Sequence, residues 1–270
     1  MKQRIITAML LIAVALPVIL FGGMPLLLLG AVLTIVAVTE MISIRETINP
    51  APLEVKILVA LASLWVVFHS FDNGLRIVPN FGTISLEIIA GFLLLLLIEV
   101  VLRKGFKAAD ASFYLMTIIY VGTTFRSMLF LRQPNLPLFL FMIIVVAITD
   151  SMAYFVGRKF GRRKLAPIIS PKKTIEGAIG GTAGGVIAGT VFGILTGVHS
   201  TIIILIGLSL IASLAGQMGD LVASSIKREY QIKDFGKIFP GHGGVLDRLD
   251  SHLFASLALY LVINLFQVVV

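Results

Sequence analysis

Four aspartates stand where an ionised side chain is costly. Asp150 and Asp220 each fall late in a long apolar run, and Asp247 and Asp250 lie at the entrance to the last one. Carboxylates inside apolar segments usually mark function, because water-poor surroundings penalise their charge. Asp247 and Asp250 are three residues apart, a spacing that shares one face of a helix. In a chain with no Cys and four His, such a set of oxygen donors suits a hard divalent cation, Mg²⁺ or Mn²⁺. The alternative is that Asp150 and Asp220 are each paired with an Arg or a backbone donor. Glu40, Glu87 and Glu99 also lie in or near apolar runs, close to the ends, where a long side chain reaches the interface cheaply. They read as structural.

Basic residues supply the complementary charge. One stretch reads Gly157-Arg158-Lys159-Phe160-Gly161-Arg162-Arg163-Lys164, followed by Ser170-Pro171-Lys172-Lys173-Thr174-Ile175-Glu176-Gly177. Arg162 and Arg163 read equally well as topology signals or contacts to anionic lipid. In the second part Pro171 restrains a turn and Thr174 can cap the helix that follows. Lys172 and Lys173 beside that positive helix end would form a phosphate site. A second stretch holds Ser224, Lys227, Arg228, Lys233, Asp234, His242, Gly243, Gly244 and Arg248, and ends at Asp250. Glycines on both sides of His242 allow backbone N–H groups to converge on an anion. Bases and carboxylates in one short segment suggest a metal-bridged polyphosphate, with cations neutralising the oxygens that the metal does not reach. Taken alone, His242 reads as an interfacial hydrogen-bonding histidine.

The elements that position these residues follow from hydropathy. Of 270 residues 58% are hydrophobic and 13% charged, and the mean hydropathy is +1.03. Soluble domains carry about twice that share of charge, so lipid is the solvent. A bilayer core takes roughly 20 apolar residues as a helix. Runs of that kind fall at about 5–22, 24–43, 55–70, 84–102, 112–131, 137–156, 176–197, 201–226 and 252–270, which predicts an all-α polytopic bundle of about nine helices. The net charge of +8 does not point to nucleic acid, because the bases are confined to short segments between apolar runs. With the N-terminus inside, 19 of the 22 Lys and Arg face inward, leaving Arg76, Arg126 and Arg132 outside. That asymmetry predicts an N-in, C-out topology. The first run shows no cleavage site, so no removable signal is expected. The chain divides into N-terminal helices over 1–110 and a chemical region over 111–270, whose loops 157–175 and 227–250 face the cytosol. Gly177, Gly181, Gly185, Gly189, Gly193 and Gly197 recur every four residues, a stripe for close helix packing within the subunit or between two copies. A homodimer is a reasonable expectation from it.

At these residues a resemblance enters. The segment Ser224–Asp250 reads S-x-x-K-R-x-x-x-x-K-D-x-G-x-x-F-P-x-H-G-G-x-x-D-R-x-D, and it resembles the signature of phosphatidate cytidylyltransferases. Asp150-x-x-Ala153-Tyr154-x-x-Gly157-Arg158 and Ser170-Pro171-x-Lys173-Thr174-x-Glu176-Gly177 are similar to the same family, so the likeness covers about 147–252. It implies transfer of CMP from CTP to phosphatidic acid at the cytosolic face of the cell membrane, with Mg²⁺ (or Mn²⁺) on Asp220, Asp247 and Asp250, and Asp150 as a weaker fourth ligand. Lys173, Lys227, Arg228 and Arg248 would contact phosphates, and His242 with its glycines would cradle CTP or pyrophosphate. Thr174, Ser224, Lys233 and Asp234 complete the substrate contacts. A second cation would suit in-line displacement. The competing readings are another CTP-using membrane enzyme, such as a polyprenol or phytol kinase, and a cation transporter built on Asp150 and Asp220. Transporters favour midplane sites between inverted repeats, and no repeat is evident.

Topology is tested directly because the chain lacks Cys. Single cysteines placed within 158–173 or 227–248 should react only with a reagent on the cytosolic side, and one near 199 only from the other side. Labelling of 227–248 from outside would overturn the orientation.

Overall fold

The computed structural model describes residues 2–69, 71–72, 76–77, 86–133 and 135–268, with backbone only for a few near the N-terminus and for 71–72 and 76–77. Among them the chain forms nine helices. They are α1 (Lys2–Phe21), α2 (Gly23–Glu46), α3 (Leu53–Phe68), α4 (Leu86–Leu102), α5 (Ala108–Arg132), α6 (Leu136–Phe160), α7 (Ile175–Thr196), α8 (Ile202–Glu229) and α9 (Leu246–Leu265). Five of these, α2, α5, α6, α7 and α8, are long and apolar enough to cross a membrane. The first residues of the expected fourth run and the last of the ninth lie outside the described residues.

Local chemistry sets the helix ends. Gly22 takes φ +67° and divides α1 from α2. Asn135 accepts the Leu138 N–H at 3.0 Å and starts α6, while left-handed Gly197 stops α7. Hydropathy placed several ends too early because it stops at charges, whereas a helix continues through them. Thus α6 runs on to Phe160, α8 includes Lys227 and Arg228, and α9 begins before Asp247.

Two small hairpins interrupt the otherwise helical fold. Strands β1 (Phe71–Asp72) and β2 (Arg76–Ile77) pair antiparallel, as do β3 (Lys164–Ala166) and β4 (Ser170–Thr174). The second hairpin fills the expected 157–175 loop and is closed by the Ile175 N–H donating to the Arg163 carbonyl at 2.9 Å.

The chain forms two compact units. The first comprises 1–129 with 234–247, and the second comprises 130–233 with 248–270. In the first, buried Asp110 accepts Arg45 Nε at 2.7 Å and Asn49 Nδ2 at 2.8 Å, which ties α2 to α5. In the second, α6, α7 and α8 pack on one another through the glycine stripe. A Cβ on Gly177 would come within 2.7 Å of the Ala153 carbonyl, and one on Gly181 within 2.7 Å of the Thr149 carbonyl. Further along, Gly189 faces both Val145 and Ser209, and Gly193 faces Leu205. The stripe is therefore spent on α6 and α8 of the same chain, so it no longer argues for a homodimer. Thr149 donates to Ser213 at 2.9 Å and Gln217 to Thr182 at 2.8 Å, adding polar links among the same helices.

Gly181→Val should overpack the α6–α7 contact and cost about 1–3 kcal/mol. Thermal unfolding in detergent should show a lowered midpoint, whereas Gly207→Ala, at a position open to its surroundings, should leave it near the parent value.

Candidate active site

In the second unit the charged groups gather around Asp220. It lies on α8, where Lys227 and Ser224 share its side of the helix, and Ser224 Oγ donates to Asp220 Oδ1 at 3.3 Å. Lys173, on β4, forms an ion pair with Asp220 Oδ2. Asp250, in the first turns of α9, is 9% exposed; its Oδ1 accepts the Ser251 N–H at 2.7 Å. It lies in the electrostatic field of Asp220, Lys227 and Asp150. Asp150, on α6, interacts in turn with Asp220 and Lys173. Helices α8 and α9 approach closely because Gly219 has no side chain: a Cβ there would stand 2.6 Å from the Asp250 carbonyl. The structure thus unites Asp150, Asp220, Asp250, Lys173, Lys227 and Ser224, from four separate elements.

Three carboxylates against two lysines leave this cluster net negative, and all its free donor atoms are hard oxygens. That chemistry fits a divalent cation of the Mg²⁺ kind. Among the described residues, no three His, Asp or Glu side chains stand together at metal-holding distance; Asp220 has an internal cation, Lys173, as its partner.

The other expected substrate contacts have surroundings of their own. Arg228 is exposed at the end of α8 and reaches the carbonyls of Ile169 and Ile232, each at 3.4 Å. Thr174 is buried, and its hydroxyl accepts the Gly177 N–H at 3.1 Å, so the expected cap of α7 is present. At the start of α7 the Ile175 N–H also has an acceptor, the Arg163 carbonyl at 2.9 Å, and Glu176 in turn accepts the N–H groups of Arg162 and Arg163 at 2.9 and 3.2 Å. Lys172, Lys233, Asp234 and Arg248 are exposed.

The glycine-rich segment belongs to the first unit, and there the structure changes the reading. Its N–H groups do converge on anions, but the anions are the protein's own carboxylates. Asp247 Oδ2 accepts from Phe235 at 2.7 Å and from Gly244 at 2.9 Å. Glu40 Oε1 accepts from Val245 at 2.8 Å, and its Oε2 accepts from Leu246 at 2.9 Å. The N–H groups of His242 and Gly243 both donate to the Phe239 carbonyl. Gly236 and Gly244 lack a Cβ because Glu40 occupies the space it would need, and Gly243 takes φ +85° against Asp247. His242 keeps one orphan: among the described residues, its buried Nδ1 has no hydrogen-bond partner.

Sequence reasoning passed over two residues. Glu40 was read as a structural residue near a helix end; it is 4% exposed and caps the first turn of α9 across more than two hundred residues of sequence. No local pattern announces such a pairing. His252 follows Asp250 by two positions, and its buried Nδ1 also has no partner among the described residues. Its proximity to Asp250 was the available signal.

A helical fold with five helices long and apolar enough to cross a membrane, and a cluster of carboxylates and lysines among them, defines a membrane-type helical protein with a candidate cation site. Comparison with known proteins is consistent with that class. The model of the Cytidylyltransferase family matches residues 2–266. Proteins named phosphatidate cytidylyltransferase from Staphylococcus aureus strain COL, Staphylococcus epidermidis strain RP62A and Staphylococcus haemolyticus strain JCSC1435 are 36%, 34% and 35% identical to the chain. Each alignment covers 94% of this chain and 95% of the relative. The chain belongs to the cytidylyltransferase family.

Glu40→Ala should leave two buried N–H groups at the start of α9 without acceptors, at about 1–3 kcal/mol each. Limited proteolysis should then nick 235–246 faster than in the parent, and the thermal midpoint should fall. An unchanged digestion pattern would mean that Asp247 alone holds the segment.

Proposed function

We infer that the chain is a phosphatidate cytidylyltransferase, transferring CMP from CTP to phosphatidic acid to give CDP-diacylglycerol and pyrophosphate. The observation that carries this reading is family membership across residues 2–266, with relatives of that name matched along nearly their whole length. The local chemistry supports it. One substrate keeps its acyl chains in lipid, and the other carries a polyphosphate from water. An apolar bundle with an anion-handling cluster among its helix ends suits both.

The nucleophile is a phosphate oxygen of phosphatidic acid, already anionic, so no strong protein base is required. It attacks the α-phosphorus of CTP, the bond to the bridging oxygen breaks, and pyrophosphate leaves with that electron pair. The protein must overcome repulsion between two anions and hold attack and departure in line. Lys173 and Lys227, already beside the carboxylates, would offset phosphate charge, with Arg228, Lys233 and Arg248 from the neighbouring surfaces. Asp220 and Asp250, with Asp150 as a further ligand, would hold Mg²⁺ or Mn²⁺, which would supply positive charge to offset the phosphates. Asp247 is a proposed ligand on the same helix as Asp250, although its Oδ2 also serves the segment 235–244. Ser224, Thr174, Asp234, His242, Gly243 and Gly244 would complete the substrate contacts. The orphaned His242 Nδ1 supports a ligand contact there more directly than the loop N–H groups do. A second cation is proposed from the surplus of carboxylates.

The finer topology is likewise proposed: nine crossings, N-terminus in and C-terminus out, in the inner cell membrane with the cluster facing the cytosol. The support is the 19-to-3 distribution of bases. A second copy of the chain as partner would have to dock on a face other than the glycine stripe.

The deciding experiment supplies CTP labelled at the α- or γ-phosphate to purified protein with phosphatidic acid and Mg²⁺. Lipid product carrying the α-label is expected; a γ-labelled lipid would make the chain a kinase. Asp220→Asn and Asp250→Asn should lose most turnover while the protein still folds, and near-parental rates at saturating Mg²⁺ would remove that residue from the metal set. Lys227→Ala and Arg228→Ala should each raise the barrier by roughly 2–4 kcal/mol. Arg162→Ala should cost no more than about 1 kcal/mol. Equal, small losses at all three would mean that these bases mark topology only.

A further inference from the structure

Besides Lys173 and Thr174, the connection between α6 and α7 holds a feature to which the proposed reaction gives no part. Both helices are of membrane length and apolar, so the fourteen residues between Phe160 and Ile175 must emerge where lipid headgroups meet water. They are folded rather than loose. The β3–β4 hairpin is tied to α7 by Arg163 and by Glu176, which accepts two backbone N–H groups. Arg228 reaches the carbonyl of Ile169 at its tip. A hairpin anchored in this way holds its side chains in a fixed direction.

What it presents is two-fold. Its tip, Pro167-Ile168-Ile169, carries Ile168 at 89% exposure, and Phe160 at the hairpin's base is 58% exposed. Along the same short connection and the end of α6 that leads into it, Arg158, Lys159, Arg162, Arg163, Lys164 and Lys172 are all exposed. A fully exposed isoleucine on a rigid hairpin is unfavourable in water, and six cations on so short a segment repel one another. Both costs vanish at one kind of surface, where acyl chains lie just beneath phosphate groups. Apolar tips flanked by cations bind acidic bilayers through these two contributions together.

We propose that the β3–β4 hairpin is an interfacial anchor: Ile168 enters the acyl region of the leaflet, and the surrounding cations gather acidic phospholipid headgroups. The partner is the acidic lipid surface itself. Lys173, on β4, pairs with Asp220, so lipid gathered by the hairpin lies on the strand that leads into the carboxylate cluster. The hairpin thereby raises the local concentration of the acidic lipid substrate. This last step rests on the proposed cytidylyltransferase activity; the anchoring does not.

The test uses the full chain, which has no Cys, with Ile168→Cys carrying a spin label. The protein is reconstituted in vesicles of phosphatidylcholine with or without phosphatidylglycerol. Collisional relaxation by oxygen, which concentrates in lipid, should exceed that by a water-soluble nickel chelate, and the excess should grow with phosphatidylglycerol. A label equally open to the nickel reagent in both vesicles would overturn the anchor, whatever the enzyme does. The headgroup contribution is read by Arg162→Gln and Lys164→Gln in dilute phosphatidic acid. Each cation at an acidic surface contributes a factor of roughly five, so the lipid concentration giving half-maximal rate should rise several-fold per substitution. Turnover at saturating lipid should be unchanged, and the difference should fade in high salt. A fall in saturated turnover with no change in lipid dependence would overturn the gathering role. Absence of turnover in the parent would sink the activity and leave the depth measurement standing.

Discussion

A carboxylate folded into a chain this apolar has to be answered by a cation, an N–H group or a metal, because the unanswered charge costs several kcal/mol. Several interior acids among the described residues show their answer. Asp110 is held by Arg45, Asn49 and the Lys107 N–H. Glu40 and Asp247 are answered by the backbone of a glycine-rich segment. Asp220 is answered by Lys173. Among the described residues, Asp150, Asp220 and Asp250 lie in one another's field with Lys173 and Lys227 beside them, three carboxylates to two lysines. Three of the nine helices among the described residues and one strand contribute to this group, so the packing of the second unit brings like charges near one another.

That packing is a matter of distance. Polar links such as Thr149–Ser213 form only if helix axes come closer than ordinary side chains allow. Glycine at every fourth position of α7 removes the obstruction along one side, and Gly219 does the same between α8 and α9. Close approach brings Asp150 and Asp250 within electrostatic reach of Asp220, although they lie on different helices.

Much of this was legible in the sequence. Apolar runs located every helix, since burial in lipid depends on composition that a window can read. The aspartates, Lys173 and Lys227 were legible because charge in an apolar chain is conspicuous. Helix ends were read less well, since Asp247, Arg248 and Asp250 look like loop to a hydropathy scale although they open α9. The β3–β4 hairpin escaped notice because its register depends on a handful of backbone bonds. The glycines around His242 announce that backbone N–H groups can converge, but a sequence does not show which acceptors meet them: Gly244 donates to Asp247, and the next two N–H groups donate to Glu40, two hundred residues away.

The glycine stripe also bears on how the gene can change. Any base change that alters the residue at a glycine codon adds at least a methyl group, and most add a charge or a branched chain. Along most of the bundle a drift from Leu to Ile or Val to Ala is absorbed by neighbouring lipid. At Gly177, Gly181, Gly185 and Gly189 there is no smaller residue to drift to, and the atoms opposite are fixed backbone or short side chains. The glycine codons of α7 thus have almost no neutral neighbours. Variation in this protein is expected to pool in the exposed positions between those glycines, such as Ile179, Ile187 and Val191.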